Sequence, residues 1–402
     1  MDIVRREPAA WMSEAAVTQL FAALNAPARF VGGAVRDWLA GRPVKDIDIA
    51  TVLTPDEVLE RLQRARIRAV PTGLAHGTVT AISGGKPFEI TTLRRDVETD
   101  GRHATVAYTD DWAADAARRD FTMNALYAEA DGTIFDPTGG LADLAAGHVR
   151  FVGDAATRIR EDYLRLLRFF RFFAHYGRGP ADAAALAAAE ALAPHVRQLS
   201  VERVWSEMKR LLAAPDPAPT LRLMQQHGVL AVALAENCRP DTLAELVALE
   251  PAYPLKAPHD PLRRLASLLD PALAGDAFAE GWRLSRDEAD RLAAIRHAAE
   301  HAVAALARPW PLLRRHGADS VADGALVAAA RGQRAALTLL PVAAFWSDPQ
   351  FPLRGADLLE RGYQPGPALG QALAEIERWW EEGGCTATRE QCLDYLKTLS
   401  GG

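Results

Sequence analysis

Two aspartates, Asp46 and Asp48, close the run FVGGAVRDWLAGRPVKDIDIAT at residues 30–51. Successive side chains of a strand point to opposite faces, so these two carboxylates share one face while Ile47 and Ile49 share the other. Carboxylates placed this way repel each other unless a cation lies between them, and oxygen ligands of this kind suit magnesium. Upstream, Gly32 and Gly33 let backbone amides approach a ligand at the start of a short helical segment carrying Arg36 and Asp37, whose positive end favours phosphate. A phosphate cradle beside a metal-holding strand implies nucleotide chemistry. Taken alone, a D-x-D is as readily a solvated strand edge or a turn; the glycine pair at this spacing makes the combination specific.

Further candidates follow along the chain. Residues 73–92, GLAHGTVTAISGGKPFEITT, read as two alternating runs joined by Ser-Gly-Gly-Lys, a hairpin signature. Phe88 and Ile90 take one face of the second run, and Glu89 takes the polar face of a strand able to neighbour the aspartate strand. There Glu89 either completes the metal site, assists deprotonation of a hydroxyl, or pairs with a basic residue across the sheet. In RRDFTMNAL, residues 118–126, Arg118 and Arg119 suit phosphate, Asp120 can accept from a ribose hydroxyl, and Asn124 offers donor and acceptor. The same residues also read as a capping ion-pair cluster. A single helix is expected over residues 157–175, with Asp162, Arg165, Arg168 and Arg171 at intervals of three along one ridge. That ridge is either a nucleotide-reading face or an ion-paired surface.

These stretches resemble, in order, motifs A, B, D and E of the class II tRNA nucleotidyltransferases, the family of CCA-adding enzymes and bacterial poly(A) polymerases. Motif A is the run at 30–51, motif B is RRDFTMNAL, motif D is the E-D-x-x-R at 161–165, and SVERVWSEMKRLL at 200–212 resembles motif E. Tyr163 stands where the family commonly has proline. DGRH at 100–103 resembles the family's flexible loop, associated with adding the terminal A, and residues 351–380 resemble its C-terminal segment. GLAHGTVT at 73–80 favours the CCA-adding branch, and the Gly-Arg-Arg-Phe signature of the poly(A) polymerases is absent.

The resemblance implies an α+β architecture: a polymerase-β-like nucleotidyltransferase head over residues 1–150, a helical neck with the base-reading helix over 151–218, and an all-helical body and tail over 219–402 that binds tRNA. It implies a reaction in which CMP, CMP and AMP are added without a nucleic-acid template to the 3′ end of tRNA, from CTP and ATP, with pyrophosphate released. An enzyme adding only A, or a poly(A) polymerase, is the alternative. The implied roles are Asp46 and Asp48 as ligands of Mg2+ and, with Glu89, catalytic carboxylates. Gly32, Gly33, Arg36, Arg119, Asp120 and Asn124 would bind the nucleotide, Asp162 and Arg165 would read its base, and Arg168 and Arg171 would lie around it. Glu202 and Arg203 would brace the reading helix.

Composition bounds this reading. The chain has 402 residues and a net charge of −6 from 46 basic and 52 acidic groups, so RNA contact requires a local patch. Residues 155–215 supply one, with ten Lys or Arg against six Asp or Glu, a balance of +4. Cys238, Cys385 and Cys392 form no C-x-x-C pair, which argues against a zinc knuckle or a disulfide framework. No apolar run approaches the ~18 residues of a membrane span, and a cytoplasmic protein is expected. His259-Asp260 lacks the further ligands of an HD phosphohydrolase and reads as part of a loop or as a helix cap. The first 29 residues are expected to form a lead-in helix, and residues 93–117 a polar, weakly periodic segment without regular structure. Pro215, Pro217 and Pro219 mark a boundary, and Trp379 and Trp380 are available for RNA stacking or for packing.

Overall fold

The computed structural model describes residues 2–74, 77–99, 104–253, 256–273 and 275–399. The chain divides into two compact units, Met1–Pro215 with Leu223–Glu236, and Asp216–Arg222 with Asn237–Gly402.

In the first unit the strands are β1 (Asp2–Arg5), β2 (Ala28–Val31), β3 (Asp48–Thr51), β4 (Arg68–Gly73), β5 (Thr78–Ser83), β6 (Lys86–Thr92), β7 (Arg94–Thr99), β8 (Ala104–Tyr108), β9 (Tyr127–Ala128) and β10 (Thr133–Asp136). Eight of them form one mixed sheet in the order β1-β10-β9-β2-β3-β6-β5-β4, and β7 pairs with β8 separately. Within the large sheet only β3 and β6 run parallel, and their register sets Asp48 opposite Glu89. The β5–β6 hairpin turns at Gly84 and Gly85, both at positive φ, as a two-residue primed turn demands.

Helices α1 (Ala15–Leu24), α2 (Gly33–Leu39), α3 (Pro55–Arg64), α4 (Trp112–Ala117) and α5 (Gly140–Ala146) flank the sheet region. α3 starts where Thr54 and Glu57 form a reciprocal capping box with Pro55 in the first turn, and it buries Val58 and Leu62. Val31, Ala50, Leu93, Tyr127 and Phe135 share one core cluster beneath the strands that carry the candidate site.

Helices α6 (Ala155–Glu161), α7 (Leu164–Tyr176), α8 (Ala183–Leu192) and α9 (Val201–Leu212) follow. α7 buries Leu166, Leu167, Phe169, Phe170 and Phe172, and packs on α9, which buries Val204, Met208 and Leu211.

Four expectations are corrected here. The lead-in helix is confined to α1, and Asp2–Arg5 is instead an edge strand paired with β10. The polar stretch at 93–117 carries β7, β8 and α4, because backbone pairing and an Asp111 cap organise it without an apolar stripe. The helix at 157–175 is two helices: Asp162 is extended, at φ −156° and ψ 108°, between α6 and α7. Asp46 lies in the segment before β3, so only Asp48 is on the strand itself. The DGRH segment, and Ala75 and His76 of GLAHGTVT, fall outside the described residues.

After α10 (Ala218–Gln226) and α11 (Val229–Ala233), the chain continues with α12 (Pro240–Leu249), α13 (Pro261–Leu268), α14 (Gly275–Gly281), α15 (Arg286–His301), α16 (Trp310–Ala330), α17 (Leu339–Ala344), α18 (Gly355–Leu359), α19 (Pro367–Glu382) and α20 (Arg389–Leu399). In the second unit, α15 packs along α16. Arg263 and Arg264 are fully buried, and both pair with Glu250; Arg263 also pairs with Asp323, so neither charge is left without an acid. Asp260 caps α13 through the amides of Leu262 and Arg263, which makes the His-Asp dipeptide a helix start. Trp380 is buried and Trp379 stacks on Tyr395 at 4.4 Å, so this pair of tryptophans packs. Among the described residues none of the three cysteines forms a disulfide. Among the described residues no helix is long and apolar enough to cross a membrane.

Candidate active site

The alternation of β3 turns Ile49 into the core and leaves Asp48 half-buried on the opposite face. Glu89 is exposed on β6 directly across the parallel register, and Asp46 is exposed two residues upstream. Burial, then Glu89, with Asp46 adding to them, pushes the Asp48 carboxyl up to about 6; Arg119 and Arg36 oppose the shift only in part. Negative charge is therefore in excess on this face, as a site built for a divalent cation requires.

The turn from β2 into α2 brings two guanidinium groups over the glycine pair. Gly32 adopts φ 67°, ψ −123°, a conformation that side chains other than glycine rarely take. A β-carbon built on Gly32 would lie 3.6 Å from Arg119 Nη1, and one on Gly33 would lie 3.7 Å from Arg36 Nη2. Arg36 is fixed from three sides. Its Nε and Nη2 each donate to Asp37 at 3.0 Å, its Nη1 donates to Asn124 Oδ1 at 2.7 Å, and its plane lies over Phe172 and Tyr176. The Tyr176 hydroxyl completes the arrangement by donating to Asp37 at 2.6 Å.

Arg119 is held by a buried carboxylate that the sequence reading missed. Asp115, 1% exposed, accepts from Arg119 Nη2 at 3.0 Å, from Arg118 Nε at 2.9 Å and from the Tyr127 hydroxyl at 2.7 Å. Burial alone would raise Asp115, but Arg119 and then Arg118 outweigh it and hold the group below the usual carboxylate range. Arg119 Nε also donates to the Tyr127 hydroxyl at 3.3 Å. The signal was present in the chain, since Asp115 precedes Arg118 and Arg119 by three and four residues, a helical ion-pair spacing.

Asp120 and Asn124 link these groups to α7. Asp120 accepts from Arg168 Nε at 2.8 Å, from Asn124 Nδ2 at 3.0 Å and from the amide of Phe121 at 2.9 Å. Burial opposes ionisation of Asp120, yet Arg168 and these hydrogen bonds overcome it and hold the carboxyl at about 2. Polar contacts thus run without a break from Arg168 through Asp120, Asn124, Arg36 and Asp37 to Tyr176, beginning and ending on α7.

A pH dependence follows from Asp120. A carboxyl depressed in the folded state adds stability above its unfolded value near 3.8, and that contribution is lost as pH falls toward about 2. Wild type is expected to exceed Asp120→Asn by a margin that includes about 2 kcal/mol from this linkage above pH ~4. Urea unfolding at a series of pH values should show the margin shrinking between pH 4 and pH 2; a margin independent of pH would refute the assignment.

The proposed base-reading pair is not arranged as the sequence suggested. Because the backbone is extended at Asp162, Asp162 and Arg165 do not stand side by side on one helix; the Arg165 amide donates to the Asp162 carbonyl at 2.9 Å, but among the described residues their side chains form no ion pair with each other. Asp162 pairs with Arg203 at 2.8 Å and accepts the Leu164 amide at 3.1 Å. Arg165 pairs with Glu161 of α6, which also takes Arg158 at 2.9 Å. Arg171 pairs with buried Glu207 of α9 at 2.6 Å, and that carboxylate also lies 3.8 Å from Arg168. The brace expected from Arg203 is present, whereas Glu161 and Glu207 were not anticipated.

Two family models match the chain: one described as the poly A polymerase head domain, over residues 28–150, and one described as a probable RNA and SrmB-binding site of polymerase A, over residues 182–238. The mitochondrial CCA tRNA nucleotidyltransferase 1 of Mus musculus is 34% identical over 95% of this chain and 89% of its own length. The CCA-adding enzyme of Latilactobacillus sakei is 33% identical over 87% of this chain and 89% of its own. The crystal structure of the Bacillus stearothermophilus CCA-adding enzyme in complex with CTP superposes with a TM-score of 0.73, at 29% identity, covering 95% of each chain.

Proposed function

The chain belongs to the CCA-adding tRNA nucleotidyltransferase family, and from that premise we propose that it adds C, C and then A to the 3′ end of tRNA, using CTP and ATP and releasing pyrophosphate. The observation that carries the reading is the register of β3 on β6, which sets Asp48 against Glu89 beside Asp46, with Arg36 and Arg119 close enough to act on Asp48.

Nucleotidyl transfer uses a divalent cation in this family, and we assign Mg2+. Asp46 and Asp48 would hold it. Among the described residues no group of three acidic, histidine or cysteine side chains is arranged to hold an ion alone, so the two aspartates would need oxygen donors from outside the chain. A cation held there would supply charge neutralisation for the triphosphate and acidification of the attacking hydroxyl.

The protein groups divide the remaining work. Arg36 and Arg119, each locked by a carboxylate behind it, bind the triphosphate over the Gly32-Gly33 turn without reorganising during reaction. Asp120 and Asn124 bind the ribose side, Glu89 receives the proton of the tRNA 3′-hydroxyl, and Asp162 with Arg165 reads the base, with Arg168 and Arg171 beside it. The hydroxyl oxygen bonds to the α-phosphorus as the bond to the pyrophosphate oxygen breaks. The reading extends to the sequence's domain division: a head at 1–150, a neck at 151–218 and a tRNA-holding body and tail at 219–402. It also extends to a cytoplasmic location, which fractionation of cells expressing the protein would test.

The test uses purified protein with Mg2+ and tRNA ending either before CCA or in CC, with CTP, ATP or both. Growth of the first substrate by three nucleotides, stopping there, is the expected result. Addition of A alone to the CC substrate would make this an A-adding enzyme, long A tails a poly(A) polymerase, and no growth would overturn the catalytic reading.

A further inference from the structure

The joint between α6 and α7 is two residues long, and it decides where the Asp162 carboxylate points. Asp162 is extended, whereas Tyr163 is already helical at φ −60° and ψ −17°. Only two soft dihedrals lie between them, ψ of Asp162 and φ of Tyr163, and a change in either swings the Asp162 side chain relative to α7. The helix itself is closed from this point on, since the Leu166 amide donates to the Tyr163 carbonyl at 3.2 Å.

Two side chains tie the joint to the stretch that leads into α9. Asp162 pairs with Arg203, and both of these side chains are partly exposed. An ion pair of that kind holds direction loosely, because water screens it and a long side chain keeps its rotamer freedom. The second tie is aromatic. The half-buried Tyr163 ring lies on the His195 ring, with 4.7 Å between centroids and 13° between planes. His195 is itself held: its Nδ1 lies 3.0 Å from the Gln198 side-chain amide, and the short 3-10 helix that carries it, Ala193–Gln198, buries Ala193 and Val196. A ring stacked on a fixed ring restrains the backbone that bears it, and such a contact is worth up to about tenfold in an equilibrium.

We propose, on the reading that Asp162 reads the base, that the Tyr163–His195 stack aims the Asp162 carboxylate. Tyr163 and His195 are then positioning residues that set base discrimination without touching the base. The backbone allows the ring to be separated from the dihedral it restrains. The φ of Tyr163 is the value a proline ring imposes, and the extended Asp162 has the conformation that a proline requires of the residue before it. Among the described residues the Tyr163 amide donates to no carbonyl, so proline there removes no such bond. Tyr163→Pro therefore lacks the stack and still locks the joint.

Two quantities would be measured on the full chain carrying Tyr163→Ala, Tyr163→Pro, His195→Ala, or both alanines together. The first is kcat/KM for CTP and for UTP on tRNA ending before CCA, whose ratio is the discrimination. The second is hydrogen exchange at the Leu164 amide, which donates to the Asp162 carboxylate and so reports whether that group is in place. Tyr163→Ala is expected to speed this exchange about tenfold and to lower discrimination by a similar factor. His195→Ala should do the same, and the double variant should be no worse than either single one. Tyr163→Pro should bring both quantities back toward wild type. Unchanged discrimination in Tyr163→Ala and His195→Ala would overturn the proposal, and so would discrimination that stays lost in Tyr163→Pro. Unfolding midpoints identify any variant at position 163 that fails to fold, in which case His195→Ala, distant from the joint, decides. Asp162→Ala is run beside them: discrimination intact in that variant would overturn the base-reading assignment itself, and exchange at Leu164 would still decide whether the stack holds the carboxylate.

Discussion

Asp48→Asn is expected to abolish nucleotide incorporation, by about a thousandfold or more, without weakening the fold. Loss of charge stabilisation worth several kcal/mol at a phosphoryl centre translates into a rate effect of this order. Asparagine preserves the shape of the side chain, and among the described residues Asp48 makes no ion pair whose loss would expose a partner. The carboxylate instead shares its surroundings with Glu89 and Asp46, both of which disfavour its charge. In chelator, therefore, the variant should unfold at the same temperature as wild type or a higher one. Adding Mg2+ should raise the unfolding temperature of wild type and leave that of Asp48→Asn unmoved. A variant that is destabilised in chelator would show that Asp48 is a structural residue, and one that still responds to Mg2+ would place the cation elsewhere.

That pattern of lost activity with retained stability marks a residue held in place at a cost, and such residues were the ones most legible in the sequence. Asp48 and Glu89 announced themselves because strand periodicity forces a polar residue between apolar neighbours onto one face, and the parallel β3–β6 pairing then sets them opposite each other. The glycine pair was legible because only glycine is at ease at the φ that Gly32 adopts. Other features depend on partners distant in the chain. β1 is four residues long and gains its structure from pairing with β10, more than 120 residues away, so nothing local distinguishes it from an unstructured lead-in. β7 is charged along most of its length, and its strand character comes from hydrogen bonding to β8.

The break between α6 and α7 was hidden for a different reason. Apolar residues continue at helical spacing across it, so periodicity alone joins the two segments into one. Tyr163, in place of the family's usual proline, removed the one residue type that would have ended α6 in plain sight. The chain nonetheless leaves the helical conformation at Asp162, where the Asp162 carboxylate accepts the Leu164 amide and so begins α7.

This break underlies the second large effect. Asp162→Ala and Arg165→Ala are each expected to lower kcat/KM for CTP and ATP by about a hundredfold, while UTP and GTP, expected to be poor substrates of the wild type, fall far less. A site that reads a base by hydrogen bonds penalises the wrong base chiefly by leaving its own buried groups unpaired, so removing one reading group narrows the gap between right and wrong. The pairs seen here add a condition. Asp162 is held by Arg203 and Arg165 by Glu161, so each carries a partner that fixes its direction while leaving part of its hydrogen-bonding capacity for a base. Arg203→Ala should therefore reduce discrimination less than Asp162→Ala, because it loosens the carboxylate without deleting it. Measuring kcat/KM for all four nucleoside triphosphates on tRNA ending before CCA and on tRNA ending in CC would decide the point. Equal losses for all four would mean that these residues support the fold of α6 and α7 and do not read the base.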